Sequence, residues 1–221
     1  MSDKTLPFNK EKLEEIAEEI PTPFHLYDEA GILNTARHMK EAFSWAPGFT
    51  NYFAVKACPN PSIVHMLTQE GFGADCSSLP ELVLSDKVGL CSEEIMFSSN
   101  DTPAEEYREA KRLGAIINVD DISHIEYIEQ HVGLPTLISF RYNPGSRRTG
   151  NLFIGEPTEA KYGLTHDQIF DAYRIAKEKG VERFALHTMV ASNELNSDYF
   201  IETARMLFEL ARDIQEKIGG R

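Results

Sequence analysis

A repeat constrains this chain more than any other feature. Short apolar, strand-like runs centred near Phe53, Ala74, Met96, Asn118 and Ser139 recur every 21 or 22 residues. Segments with helical spacing of apolar residues lie between them, over about 61–70, 79–88, 102–113 and 122–132. That period leaves room for one strand, one helix and tight turns. Two helix starts are explicit: Pro61 at a first-turn position, and Asp101-Thr102-Pro103-Ala104-Glu105, capping residues followed by proline and glutamate. Gly71, Gly89, Gly114 and Gly133 follow the helices, where a left-handed cap favours glycine. A sixth strand over 183–189 comes after a long loop (143–161) and a helix (165–179), and a last helix runs over about 197–218. Gly219-Gly220 reads as its stop.

Right-handed βα crossovers repeated around a closed sheet give a (β/α)8 TIM barrel. A doubly wound open sheet is the alternative, but no Gly-rich phosphate fingerprint follows the first strand. Six units are counted where a closed barrel needs eight. The expectation is therefore an α/β barrel truncated after about six βα units, unless the count is short or a partner completes it. Ahead of the repeat, an amphipathic helix over 9–19 is broken by Pro21-Thr22-Pro23. Phe24-His25-Leu26-Tyr27 reads as a short strand, and Asp28 can cap the helix that follows. This divides the chain into an N-terminal helix and strand (1–27) and the partial barrel (28–221).

The net charge of -13 argues against sequence-independent nucleic-acid binding, which needs a basic surface. No apolar run of about 18 residues offers a membrane span, and Met1 to Leu6 carries no apolar signal core. Three cysteines, Cys58, Cys76 and Cys91, are too few and too irregular for a disulfide framework or a zinc site. These features point to a cytoplasmic protein. The histidines at 25, 38, 65, 124, 131 and 166 show no ligand spacing, and Trp45 reads as packing.

In a barrel, reactive groups sit at the C-terminal ends of strands. Those stations carry Lys56, Asp75, Ser98-Ser99-Asn100, Asp120-Asp121, Arg141 and His187, with Ser192 beyond. The strand bodies read as apolar. Asn51 to Cys58 reads as a strand covered on two faces that ends on Lys56, and a desolvated lysine is a nucleophilic amine suited to Schiff-base chemistry. The bland alternative is a lysine that caps the strand and points into solvent. A lysine, an acid and an arginine at one mouth suit an anionic ligand bearing a carbonyl. The pair Arg147-Arg148 in the long loop could meet a substrate carboxylate, or be exposed as most arginines are.

These residues resemble a known family from about Thr22 onward. The chain is similar to the alanine-racemase-like, fold-type III barrels that use pyridoxal phosphate, in particular the diaminopimelate, ornithine and arginine decarboxylases. Phe53-Ala54-Val55-Lys56-Ala57 matches the motif of the Schiff-base lysine, and 71–82 matches the second-strand motif containing Asp75 and Glu81. Ser139-Phe140-Arg141-Tyr142-Asn143-Pro144-Gly145 matches the strand whose arginine contacts the cofactor, and Lys161-Tyr162-Gly163 matches the Lys-aromatic-Gly element. The segment 186–200, with Ser192-Asn193 and Tyr199-Phe200, looks most like diaminopimelate decarboxylases.

The resemblance implies a pyridoxal 5'-phosphate cofactor and Lys56 as the catalytic residue. The cofactor-binding set it implies is Lys56, Asp75, Glu81, Arg141, His187, Met189 and Ser192. It also implies a carboxy-lyase acting on a small amino acid, meso-diaminopimelate to lysine in lysine biosynthesis, and a homodimer without nucleic-acid or membrane partners. Two departures stand out. The family's sixth strand reads His-x-His-hydrophobic-Gly-Ser, whereas this chain has His187-Thr188-Met189-Val190-Ala191-Ser192. Met189 thus replaces the histidine that stacks on the cofactor, and reads either as an apolar face against the ring or as core filler. His187 reads as a hydrogen-bonded core histidine rather than a base. The chain also ends before the family's glycine-rich phosphate loop, the glutamate that pairs with the pyridine nitrogen, and the C-terminal β-domain. Little or no turnover is expected of this chain alone, and a non-catalytic fragment or paralogue that binds the cofactor or a partner is the alternative.

Overall fold

The computed structural model of the protein describes residues 6–150 and 153–219. Met1 to Thr5, Gly220 and Arg221, which carry part of the leader and helix-stop readings, lie outside the described residues. The chain separates into two compact units, 1–49 and 50–221. The first holds helices α1 (Lys10–Glu19) and α2 (Glu29–Ala42). Asn9 caps α1, its side chain accepting from the Lys12 amide at 3.0 Å. Residues 24–27 form no strand, contrary to expectation, and Trp45 is 77% exposed rather than packed.

The second unit is the βα repeat. Its strands are β1 (Tyr52–Ala54), β2 (Gly73–Cys76), β3 (Ile95–Ser98), β4 (Ile116–Val119), β5 (Leu137–Tyr142) and β6 (Arg183–Thr188). They form one sheet in the order β1-β2-β3-β4-β5-β6, with every neighbouring pair parallel. Helices α3 (Pro61–Gln69), α4 (Leu79–Lys87), α5 (Ala104–Leu113), α6 (Ser123–His131), α7 (His166–Glu178) and α8 (Ser197–Ile218) alternate with them. Strand following helix in unbroken alternation is the barrel-type pattern the repeat predicts.

Local chemistry sets the boundaries. Asn60 caps α3 by accepting from the Ser62 amide at 3.0 Å, with Pro61 in the first turn. Thr165 and Gln168 form a reciprocal capping box at the start of α7. Gly114 ends α5 in the left-handed region at φ 73°, where a side chain would be strained.

Register and alternation assign the two faces of the sheet. Ala74, Cys76, Ile95, Phe97, Ile117, Val119, Ile138 and Phe140 face the helices and are fully buried. Each large side chain there contributes about 1.5–3 kcal/mol relative to exposure. Phe140 meets Tyr173 of α7 edge-on at 4.9 Å. The other face is polar in the middle of the sheet. Ser98 pairs in register with Asn118, Asn118 with Ser139, and Arg141 with His187. Asn118 and Ser139 lie inside strands whose bodies read as apolar. Both are buried, so this inner face is a hydrogen-bonded layer rather than an oily one.

Candidate active site

Lys56 does not extend β1. The strand ends at Ala54, and Val55–Ala57 winds into a single 3₁₀ turn. The turn buries Val55 completely and leaves Lys56 exposed. The expectation of a desolvated lysine is therefore corrected. A three-residue strand is too short to carry the alternation through to Lys56, and the turn rotates the side chain away from the apolar layer. What results is a primary amine held at the C-terminal end of β1 and open to solvent.

Asp75 is next to it, on the neighbouring strand and one register step beyond the partner of Phe53. Burial pushes its carboxyl up to about 6, and the charges of Lys56 and Arg141 only partly oppose that, while Glu81 adds to it. Lys56, Asp75, Glu81 and Arg141 thus share one electrostatic neighbourhood. Glu81 is engaged at the start of α4, where its carboxylate accepts from the Ser77 amide and hydroxyl at 3.0 Å each and from the Ser78 hydroxyl at 2.8 Å. It fixes the turn between β2 and α4 and acts on Asp75 through its charge.

Arg141 is the most constrained group at the mouth. Its Nε lies 3.0 Å from Asp120 Oδ1, and the two side chains are 9% and 5% exposed. Neither of those two atoms has a well-aligned hydrogen bond, so the contact is a Coulombic pair rather than a directed bond. One terminal nitrogen donates to Ser98 Oγ at 2.7 Å, and the guanidinium lies 5.3 Å from the centre of the Tyr162 ring. The element Lys161-Tyr162-Gly163 is brought there by the backbone, because the Gly163 amide donates to the Asp120 carbonyl and the Leu164 amide to the Arg141 carbonyl. Gly163 has φ 91°, and a Cβ there would come within 3.1 Å of Asn143 and 3.4 Å of Arg141 Cγ.

Below Arg141 the polar layer continues. Asn118 Nδ2 donates to Ser98 Oγ at 3.0 Å, and Ser139 Oγ donates to Asn118 Oδ1 at 2.9 Å. Asn118 Nδ2 also stands 3.5 Å from His187 Nδ1. Burial, followed by the charge of Arg141, lowers the His187 imidazole to about 4, so it is neutral at physiological pH. That fits a hydrogen-bonded interior histidine. Met189, just past β6, is 41% exposed, so it is not core filler. Ser192 lies farther along the same loop, where the Asn193 side-chain amide donates to its hydroxyl at 3.2 Å. Arg148 is not a free surface arginine: its side chain is 11% exposed and paired with Glu202 at 2.6 Å.

Lys56, Asp75, Arg141 and His187 are thus brought together, with Ser98 and Asp120 as their supports. Asn118, which meets Ser98 and His187, and Ser139, which holds Asn118, did not emerge from strand ends because they sit one and three residues inside the ends of β4 and β5. A polar residue in mid-strand at the same register on adjacent strands is the signal that would have found them. Among the described residues no group of three or more His, Cys, Asp or Glu side chains could hold a metal ion. No described helix is long and apolar enough to cross a membrane.

The residues present fit a pyridoxal cofactor. The mouth offers an exposed primary amine for an aldehyde, a carboxylate beside it, a fixed guanidinium, a neutral imidazole and an exposed thioether. Comparison with known proteins agrees. Residues 29–220 match the family described as pyridoxal-dependent decarboxylase, pyridoxal binding domain. The chain is 35% identical over 207 residues to protein TabA of Pseudomonas amygdali pv. tabaci, covering 94% of this chain and 48% of TabA. It is 30% identical over 210 residues to diaminopimelate decarboxylase of Thermoplasma acidophilum, covering 94% of this chain and 50% of that protein. The fold superposes on the crystal structure of diaminopimelate decarboxylase from Helicobacter pylori complexed with L-lysine, with a TM-score of 0.82 at 29% identity, over 95% of this chain and 55% of that one. The chain spans about half the length of the relatives it matches.

Proposed function

This chain belongs to the pyridoxal-dependent decarboxylase family, and from that premise we propose that it supplies the cofactor-binding part of an enzyme that removes the carboxylate from a small amino acid. The finer reading is conversion of meso-diaminopimelate to lysine, in the cytoplasm, by a homodimer. Similarity to diaminopimelate decarboxylases supports it, and 35% identity to TabA leaves the amino acid to be settled by assay. The observation that carries the reading is the exposed Lys56 amine at a strand end beside Asp75, with Arg141 locked across the same mouth by Asp120 and Ser98.

Lys56, Asp75, Arg141, His187, Met189 and Ser192 would hold the cofactor. When bound, pyridoxal phosphate supplies an electron sink for the pair left by a departing carboxylate. The chain's own residues bind and orient. Lys56 offers the amine that takes the aldehyde. Asp75, ionised at neutral pH despite its raised value, holds a negative charge beside that amine. Arg141 keeps its charge in place because its partners fix it from two sides. His187 stays neutral and can give or accept one hydrogen bond without adding charge to the site. Glu81 keeps the β2–α4 turn, and with it Asp75, in register.

The test is to add pyridoxal phosphate, reduce with borohydride and map the modified peptide, with Lys56→Ala as control. Release of carbon dioxide from meso-diaminopimelate and from other amino acids is then measured. A reduced adduct at Lys56 is the expected result, and turnover on one amino acid names the substrate. An adduct without turnover supports the cofactor-binding reading without catalysis for this chain. An adduct that forms equally in Lys56→Ala refutes both.

A further inference from the structure

The first turn of α8 is tied to two loops at the mouth by one side chain. Tyr199 Oη lies 2.7 Å from the carbonyl of Thr149 and 3.2 Å from the carbonyl of Val190, so a single phenolic proton is shared between them. Thr149 belongs to the loop that follows β5, and Val190 to the loop that follows β6, between Met189 and Ser192. Arg148 completes the arrangement. Its guanidinium lies 4.1 Å over the Tyr199 ring and donates to the Tyr199 carbonyl at 3.0 Å and to Glu202 at 2.6 Å. The Thr203 hydroxyl donates to the same Tyr199 carbonyl at 2.8 Å.

We propose that Tyr199 and Arg148 are positioning residues, a clamp that holds the loops after β5 and β6 in one fixed relation across the mouth. The inference rests on the cofactor-binding reading above for its purpose, but not for its geometry. Loops of this kind have few buried contacts of their own and open locally at small cost. Val190 carries Met189 on one side and Ser192 two residues on, so its carbonyl is the point from which both side chains are aimed. Tyrosine suits the task because its ring is rigid and its hydroxyl reaches past the helix. Arginine suits the other half because a planar guanidinium can stack on the ring and donate in its own plane at once. These contacts also answer the alternative role for Arg148. Its two terminal nitrogens donate to Glu202 and the Tyr199 carbonyl, and its remaining donor, Nε, is buried, so it supports the loop rather than receiving a substrate carboxylate.

The test uses the full chain and two variants. Tyr199→Phe removes the hydroxyl and keeps the ring stack, and Arg148→Lys keeps the charge but loses the planar fork. Hydrogen exchange by mass spectrometry is read on peptides covering 143–150 and 189–196, and pyridoxal phosphate dissociation is read by absorbance. Tyr199→Phe is expected to speed exchange in both peptides about 3- to 10-fold, the range one net hydrogen bond supports. The same loss should lower the urea midpoint by only about 0.2–0.7 M, and cofactor dissociation should accelerate about 3- to 10-fold. Arg148→Lys should affect the 143–150 peptide more than the other. Unchanged exchange in both peptides, or acceleration in only one of them with Tyr199→Phe, overturns the clamp. Acceleration in both peptides with unaltered cofactor dissociation overturns its positioning role. If the unsubstituted chain forms no adduct at Lys56, the cofactor-binding reading has failed, and the exchange result alone decides for or against the clamp.

Discussion

Replacing Asp75 with asparagine should make the protein more stable, and only above about pH 4. Asp75 is held at about 6 by burial, against an ordinary value of 3.8. Below pH 3.8 the folded and unfolded states are both protonated there, and the group is neutral in its effect. Between the two values the unfolded chain gives up its proton and the folded chain keeps it, so stability falls as pH rises and the loss is complete above about 6. A shift of about two units corresponds to about 3 kcal/mol. His187 works in the opposite sense. Its value is lowered from 6.5 to about 4, so over that window the unfolded state binds the extra proton and stability rises with pH. The two slopes overlap and nearly cancel in the unsubstituted protein. Asp75→Asn removes the falling one and uncovers the other.

The assay is urea unfolding followed by circular dichroism at pH 4, 5, 6 and 7. With a slope of about 2–3 kcal/mol per molar urea, the midpoint of Asp75→Asn should coincide with the unsubstituted protein at pH 4 and exceed it by roughly 1–1.5 M at pH 7. His187→Gln should show the mirror behaviour, its stability falling as pH rises through the same window. Lys56→Met, which removes the charge that opposes the effect of burial on Asp75, should enlarge the gain from Asp75→Asn. A midpoint difference that is constant with pH would mean that the carboxyl titrates normally. An Asp75→Asn variant less stable at pH 7 would mean that Lys56 stabilises the carboxylate more than burial penalises it. Either result refutes the reasoning.

Two further substitutions address the supports of the site. Arg141→Met leaves Asp120 buried without its partner, and should cost about 3–5 kcal/mol in urea unfolding at pH 7, with a smaller loss at low pH, where Asp120 can take up a proton. Gly163→Ala forces a side chain into φ 91° and to 3.1 Å from Asn143, and should cost about 1–3 kcal/mol in the same measurement.

The repeat was legible because it is written twice, in the apolar runs and in the punctuation between them. Pro61 and the glycines at 71, 89, 114 and 133 fall where the structure starts and stops helices, and all four glycines take positive φ. The strand ends pointed to Asp75, Ser98, Asp120, Arg141 and His187 because strand ends are short-range features. Three readings failed for reasons of longer range. Lys56 reads as the buried end of a strand, but nothing local says that β1 stops at Ala54 and turns. Arg148 reads as an exposed loop residue, because its partners, Tyr199 and Glu202, lie some fifty positions away. Phe24 to Tyr27 has strand composition, but a strand exists only when another pairs with it. Asn118 and Ser139 were hidden in apolar runs, since the layer they form appears only when the register of three strands is known.

The strictly sequential strand order also sets a timetable for the chain as it emerges from synthesis. From β2 onward each strand docks on the one made just before it, so none of these waits for a partner not yet made. Tyr52 meets Gly73, and Ala74 meets Ile95, each after 21 positions, whereas Leu137 meets Arg183 only after 46. Closing the longer loop costs about 0.7 kcal/mol more in chain entropy. β6 is therefore the last of the six to arrive and the most expensive to bring in. It is also the strand that delivers His187 and the loop bearing Met189 and Ser192. A nascent chain interrupted between β5 and β6 would hold Lys56, Asp75 and Arg141 on a folded sheet and still have one wall of the mouth unbuilt.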